Sequence, residues 1–232
     1  MPPATLRPWW HDLRDPLRAA PAASRRLWLP GLICFALATA FMLWASASGT
    51  DRHWLDLIVT GRDPGLIQLA KKLSNWGELH FIPLLLAILL WAAGRYYHRP
   101  AWRLAGAAGL LGAAGAGLLG LIFKILFGRP RPHLGVPDTL NPLSFHWNFQ
   151  SFPSGHSSHT WGLVAGVALL APRWALPYGL FAAAVCWSRM YLNRHYPSDI
   201  LGGLVCGVFV GLIFALAARR SLAATKSAPP SS

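Results

Sequence analysis

Residues 152–171 read "FPSGHSSHTWGLVAGVALLA". A cluster of Pro, Gly, small hydroxyls and two imidazoles leads without a break into an apolar run. A polar cluster at the mouth of an apolar helix suits a site at the boundary of a bilayer, and the rest of the chain bears out a membrane setting. Of 232 residues, 54% are hydrophobic and only 12% charged, against about 25% charged in a soluble domain. The apolar residues fall in long runs rather than in alternation, the mark of membrane-spanning helices.

Working away from that stretch, six spans are predicted. They cover residues 27–47, about 80–97, about 104–126, 154–172, 174–190 and 199–218. The first is too long for the apolar core of a signal peptide, which runs to about 7–15 residues, and reads as an uncleaved anchor. The third, with "GAAGLLGAAGAGLLG", lets neighbouring helices approach closely and is expected at the bundle centre. Residues 48–78 read as an interfacial loop with short amphipathic pieces. Residues 1–26, rich in Pro and Arg, are expected to form a disordered basic cytoplasmic arm, and 219–232 a frayed polar cytoplasmic tail. The fold class is all-α, one six-span membrane domain over 27–218, with no repeat. Cys34, Cys186 and Cys206 all lie in apolar runs and read as buried hydrophobes rather than a disulfide framework.

The net charge is +13. In a membrane chain this points to topology and anionic lipid rather than nucleic acid. Even-numbered spans put both termini on one side. Twelve of the 21 basic residues fall on that side, Arg95, Arg99 and Arg103 among them, which predicts cytoplasmic termini.

Several of the remaining cations resist a topological explanation. Lys124 closes the third span, Arg131 follows in the next loop, and Arg189 closes the fifth span. All three lie at the end of the bundle that carries Ser154, Gly155 and His156. Cations gathered beside imidazoles repel one another unless an anion sits between them. The start of the fourth helix adds unpaired N–H groups and a positive dipole end, with Gly155 allowing close approach. Ser154 could be no more than an N-cap, but that leaves His156 unexplained. His195 stands four residues before Asp199, which can hold one ring nitrogen and leave the other free to attack. A metal held by His156, His159 and His195 is the competing reading. Three nearby cations and the lack of an HExxH-type helix weigh against it.

These residues resemble a known family. Lys124 with Arg131-Pro132 fits K-x6-RP, Pro153 to His156 is PSGH, and Ser188-Arg189, His195 and Asp199 fit SR-x5-H-x3-D. In this order they are similar to the three signature motifs of the type 2 phosphatidic acid phosphatase (PAP2) family, which shares its active site with vanadium haloperoxidases. The likeness extends over roughly 48–218, and the motif spacing selects Arg131 over Arg129. The resemblance implies His195 as a nucleophile that forms a phosphohistidine, Asp199 as its orienting partner and His156 as the acid and later the base. It implies Lys124, Arg131, Ser154, Gly155 and Arg189 as the phosphate cradle, with no metal or other cofactor. The implied activity is hydrolysis of a lipid phosphate or diphosphate, such as undecaprenyl diphosphate, phosphatidylglycerophosphate, phosphatidic acid or lipid A phosphate, at the outer face of a bacterial inner membrane. A phosphotransferase of the same fold, a vanadate-dependent oxidase and a non-catalytic lipid binder or transporter are the alternatives. Six spans speak against the oxidase, and the paired His156 and His195 against a mere binder.

Overall fold

The computed structural model describes residues 8–78 and 81–227, and the expectations for residues 1–7, 79–80 and 228–232 lie outside it. Its described residues form helices and loops without a strand. The helices are α1 (His11–Ser24), α2 (Trp28–Ala47), α3 (Thr50–Val59), α4 (Pro64–Trp76), α5 (Ile82–Tyr96), α6 (Pro100–Phe127), α7 (Gly155–Ala168), α8 (Pro172–Tyr191) and α9 (Pro197–Ser227).

The centre is a three-helix contact of α6, α7 and α9. It is built on glycines, as the composition of the third predicted span required. A Cβ added at Gly112 would lie 2.5 Å from the Gly162 carbonyl oxygen, and one at Gly211 would meet that same oxygen at 2.5 Å. Only hydrogen on those Cα atoms lets three backbones meet there. Around this centre α5 lies on α6, α8 bridges α7 and α4, and α2 lies along α9.

Among the described residues, three helices are long and apolar enough to cross a membrane: Trp28–Ala47, Pro100–Phe127 and the Pro197–Thr225 part of α9. The expectation of six such helices therefore holds only in part. The 15-residue α5 is apolar but short. The 14 residues of α7 rise only about 21 Å, against a hydrocarbon core of about 30 Å. Short helices at the centre of a bundle are sheltered by longer neighbours, so their length is not set by the bilayer. Large apolar side chains such as Leu37, Leu118, Leu176 and Leu180 lie exposed on the outer surface, where lipid is the solvent that accepts them.

Two further expectations fail. The arm is not without structure: α1 runs through most of it and packs along α9. Its anchor is Asp12, 2% exposed, whose carboxylate accepts from Trp91 Nε1 at 3.1 Å and pairs with Arg103 Nε at 2.9 Å. Asp12, one of two acidic residues in a basic arm, supplies the contact that fastens it. The tail does not fray at residue 219 either, since α9 continues to Ser227.

Candidate active site

The chemistry sits where α6 ends, α7 begins and α8 passes into α9. At the end of α6, Gly128 adopts φ +59 and turns the chain back. The loop after it returns along that helix end, held by Asn141 N–H donating to the Gly128 carbonyl at 2.9 Å and by Ser151 N–H donating to the Arg129 carbonyl at 3.0 Å. The loop thereby carries Arg129, Arg131 and Trp147 over the start of α7.

Six of the eight predicted residues line one cavity of about 450 Å³: Lys124, Arg131, Gly155, His156, Arg189 and His195. The other two stand behind it. Ser154 and Asp199 are both fully buried, and the two segments are tied by Ser154 N–H donating to the Asp199 carbonyl at 2.9 Å.

His195 is 1% exposed. Its Nδ1 lies 3.4 Å from Asp199 Oδ2, and its Nε2 lies 3.3 Å from Arg131 Nη1. The guanidinium can only donate, so Nε2 carries the lone pair and Nδ1 the hydrogen. Burial, reinforced by Arg131 and Lys124, holds the imidazole far below its usual range, so it is neutral at neutral pH. The ring thus presents an unprotonated nitrogen to the cavity, as the four-residue offset from Asp199 anticipated.

Arg131 is itself fixed. Its Nε donates to the Trp147 carbonyl at 3.0 Å, and the guanidinium lies 3.9 Å from the Trp147 ring centroid. Lys124 Nζ donates to the Gln150 carbonyl at 3.0 Å. Arg189 Nη1 donates to Ser74 Oγ, while its buried Nε has no partner among the described residues. Ser154 does not behave as a simple N-cap: its side chain caps nothing, and its buried Oγ has no partner among the described residues either. A Cβ at Gly155 would make only ordinary contact with Lys124 Cε, at 3.5 Å. Nothing in the protein itself demands glycine at this position, so the room above it serves what enters the cavity.

His156 has a carboxylate of its own that the sequence did not point to: Glu78, from the loop after α4, places Oε1 3.2 Å from His156 Nε2. The Ser74 carbonyl lies 3.1 Å from the same nitrogen. Two acceptors around Nε2 make it the protonated nitrogen. The bond to His156 draws the Glu78 carboxyl down to about 2, so it is ionised at any working pH. The third imidazole of the metal reading, His159, is committed elsewhere, with Nε2 2.5 Å from the Gly77 carbonyl.

The larger omission is Arg129, set aside by motif spacing. It is fully buried. Its Nη1 donates to Asp199 Oδ1 at 2.7 Å and to Ser198 Oγ at 2.8 Å. Nη2 reaches Asp51 at 2.8 Å, and Nε reaches Asp138 at 3.0 Å. Burial opposes its charge, but Asp199, then Asp138 and Asp51, outweigh burial and raise its proton affinity. Asp199 has its second oxygen filled by Ser151 Oγ at 2.6 Å and Tyr196 N–H at 2.9 Å. The two arginines of "RPRP" therefore face opposite ways, one into the cavity and one onto the carboxylate behind His195. The repeated Arg-Pro was the only trace of this in the sequence, since Glu78, Asp51 and Asp138 reach the site by tertiary folding alone.

Comparison with known proteins places this arrangement. Residues 100–222 match the model of the PAP2 superfamily. The lipid A 1-phosphatase of Rhizobium johnstonii is 36% identical over 117 residues, 49% of this chain and 48% of the relative, so the chain spans about half the length of that relative. The decaprenylphosphoryl-5-phosphoribose phosphatase of Mycobacterium tuberculosis is 34% identical over 155 residues, 65% of this chain and 79% of the relative. The crystal structure of a transmembrane PAP2-type phosphatidylglycerolphosphate phosphatase from Bacillus subtilis superposes with a TM-score of 0.63 at 23% identity, covering 87% of this chain and 98% of that one, which is a likeness of fold. The matched segment runs from the start of α6 well into α9 and holds every motif residue of the cavity, and on that ground this chain belongs to the PAP2 superfamily.

Proposed function

We propose that the chain is a membrane phosphatase that hydrolyses lipid phosphates or diphosphates through a phosphohistidine. One observation carries the reading: the neutral Nε2 of His195, backed by Asp199 through Nδ1, opens into a cavity walled by Lys124, Arg131 and Arg189. In the proposed sequence the Nε2 lone pair attacks phosphorus. The three equatorial oxygens take their hydrogen bonds from the cations, the Gly155 N–H and the orphaned groups Ser154 Oγ and Arg189 Nε. The bond to the leaving oxygen breaks as His156, held by Glu78, gives it a proton. The neutral His156 then takes a proton from water, whose oxygen attacks the phosphohistidine and frees His195. Fixed cations supply the charge stabilisation, so the reading expects no need for a divalent metal.

The same reading places six membrane-crossing segments in the chain, adding the short α5 and α7 and the less apolar α8 to the three long apolar helices. It puts both termini in the cytoplasm and the cavity at the outer face of a bacterial inner membrane. Support comes from the basic bias of the termini-bearing side and from the site's claim on Lys124, Arg129, Arg131, Arg189 and Arg194, five of the nine basic residues opposite.

The test is phosphate release by the purified chain across a panel of lipid phosphates, with rapid quench after ³²P-labelled substrate. Acid-labile, base-stable label should appear on the wild type and be absent from His195→Ala. In His156→Ala, turnover should fall by about 10²–10⁴-fold, with label retained for an activated leaving group. Label that persists in His195→Ala and vanishes in His156→Ala would reverse the two roles. Turnover that vanishes in EDTA and returns with magnesium would refute the metal-free step.

A further inference from the structure

The cavity has one cation more than its motif explains. Arg194, the residue before the nucleophile, lines it alongside Lys124, Arg131 and Arg189, and Glu78 is the single carboxylate there. Four basic side chains face one carboxylate there, so the cavity favours an anion. A phosphate monoester brings about two negative charges at neutral pH, and a second phosphoryl group adds about one more for these side chains to hold.

The geometry separates Arg194 from the cradle. Arg131 is locked by Trp147 and by the Arg194 carbonyl, which accepts from Arg131 Nη1 at 3.3 Å. The Arg194 side chain is held loosely, with Nη1 3.4 Å from His133 Nε2 and its guanidinium 5.7 Å from the Trp147 ring centroid. Among the described residues no carboxylate lies within ion-pair distance of it, whereas Arg52 is paired with Asp56 and Arg129 with three aspartates. Two guanidiniums thus share the face and rim of one indole: the fixed one beside His195 Nε2, the loose one farther out. The charge of Arg194 also weighs against that of Arg131 and Arg189, a repulsion that an anion between them removes.

We propose that Arg194, seated against Trp147, forms a second anion subsite that receives a phosphoryl group adjoining the reacting one, and so sets the preference of this enzyme for a diphosphate over a monophosphate headgroup. The substrate part of this inference rests on the phosphatase reading above, while the subsite itself does not. Two measurements keep them apart. Titration calorimetry of the purified chain with inorganic pyrophosphate and with orthophosphate reads the subsite without turnover. The wild type should bind pyrophosphate the tighter, and Arg194→Ala should lose that advantage by roughly 10–100-fold, the scale of one charge-assisted hydrogen bond. Arg194→Lys should keep part of it. Equal affinity for the two anions in the wild type, or an advantage untouched in Arg194→Ala, overturns the subsite.

Turnover of farnesyl diphosphate against farnesyl phosphate, which share one tail, then tests the preference. The diphosphate-to-monophosphate ratio of kcat/KM should fall roughly 10–100-fold in Arg194→Ala. A ratio that stays constant overturns the role in specificity. Tight pyrophosphate binding by a chain that hydrolyses neither ester would instead refute the phosphatase reading and leave the subsite standing.

Discussion

At the scale of single residues, the site sets two imidazoles in contrasting company. His195 is enclosed, with Asp199 at Nδ1 and Arg131 at Nε2, and is held neutral by burial. His156 faces Glu78, which is 45% exposed and open to the cavity. This pairing predicts that Glu78→Gln slows hydrolysis of an alkyl phosphate by roughly 10–100-fold, because the leaving alkoxide needs the proton that Glu78 helps His156 to hold. With p-nitrophenyl phosphate, whose leaving group needs little help, the loss should be smaller. Equal losses on both substrates would remove Glu78 from the proton path. The pH profile follows from the other imidazole. The folded value for His195 lies below its ordinary value of 6.5, so protonation begins only as pH falls well below 6.5. The acid limb of kcat/KM should therefore lie under pH 6.5, and a limb at or above that value would contradict a buried neutral nucleophile. Stability linked to this group has the same sign. It is present above the unfolded value and is lost as pH falls toward the folded one, because the unfolded chain then binds the proton more readily.

At the scale of elements, what the sequence reveals depends on how local the signal is. The start of α7 was readable because Pro153, Ser154 and Gly155 act on the next turn, and the His195–Asp199 pair because only four residues of chain separate them, across the Pro197 start of α9. The centre of the bundle was readable from the small residues of α6. Glu78, Asp51 and Asp138 were not, because nothing in their neighbours tells which distant side chain they will meet. The arm was misread for a related reason: the partners of Asp12 are Trp91 and Arg103, far along the chain. For the short α7 and α5 the sequence leaves the setting open, because apolar content reports burial without saying whether lipid or protein provides it. The glycine contact makes a clean test. Gly162→Ala would set a Cβ 2.5 Å from the Gly112 carbonyl oxygen, and overpacking of this kind destabilises by about 1–3 kcal/mol. The variant should melt at a lower temperature in detergent. Gly179→Ala in α8, where a Cβ meets nothing within 4 Å, should leave the melting temperature unchanged or slightly raised. A Gly162→Ala protein that melts with the wild type would deny the close crossing.

At the scale of the whole molecule, the 28 residues of α6 span about 42 Å, and its two ends carry opposite offices. Arg99 precedes the helix, and Asn141 is bonded to its last turn through Gly128. Both are exposed. If the proposed orientation holds, a thiol reagent confined to the outside of the cell should label Asn141→Cys and spare Arg99→Cys, and the opposite pattern would invert the topology. The buried knot around Arg129 then carries a consequence for how the protein is made. Its three carboxylates come from residues 51, 138 and 199, so the first is made with the early helices and the last arrives only with α9. Until Pro197 and Asp199 have left the ribosome, Arg129 is short of the partner that ties it to His195. Asp51 and Asp138 can still pair Nη2 and Nε, but Nη1 then lacks both of its acceptors, Asp199 Oδ1 and Ser198 Oγ, and a buried donor without an acceptor costs about 1–3 kcal/mol. The unfinished chain therefore holds the 128–151 loop less firmly against its helices. Nascent chains halted before α9 should expose that loop to protease, and chains halted after α9 has emerged should protect it, so that the cavity closes only when α9 joins the bundle.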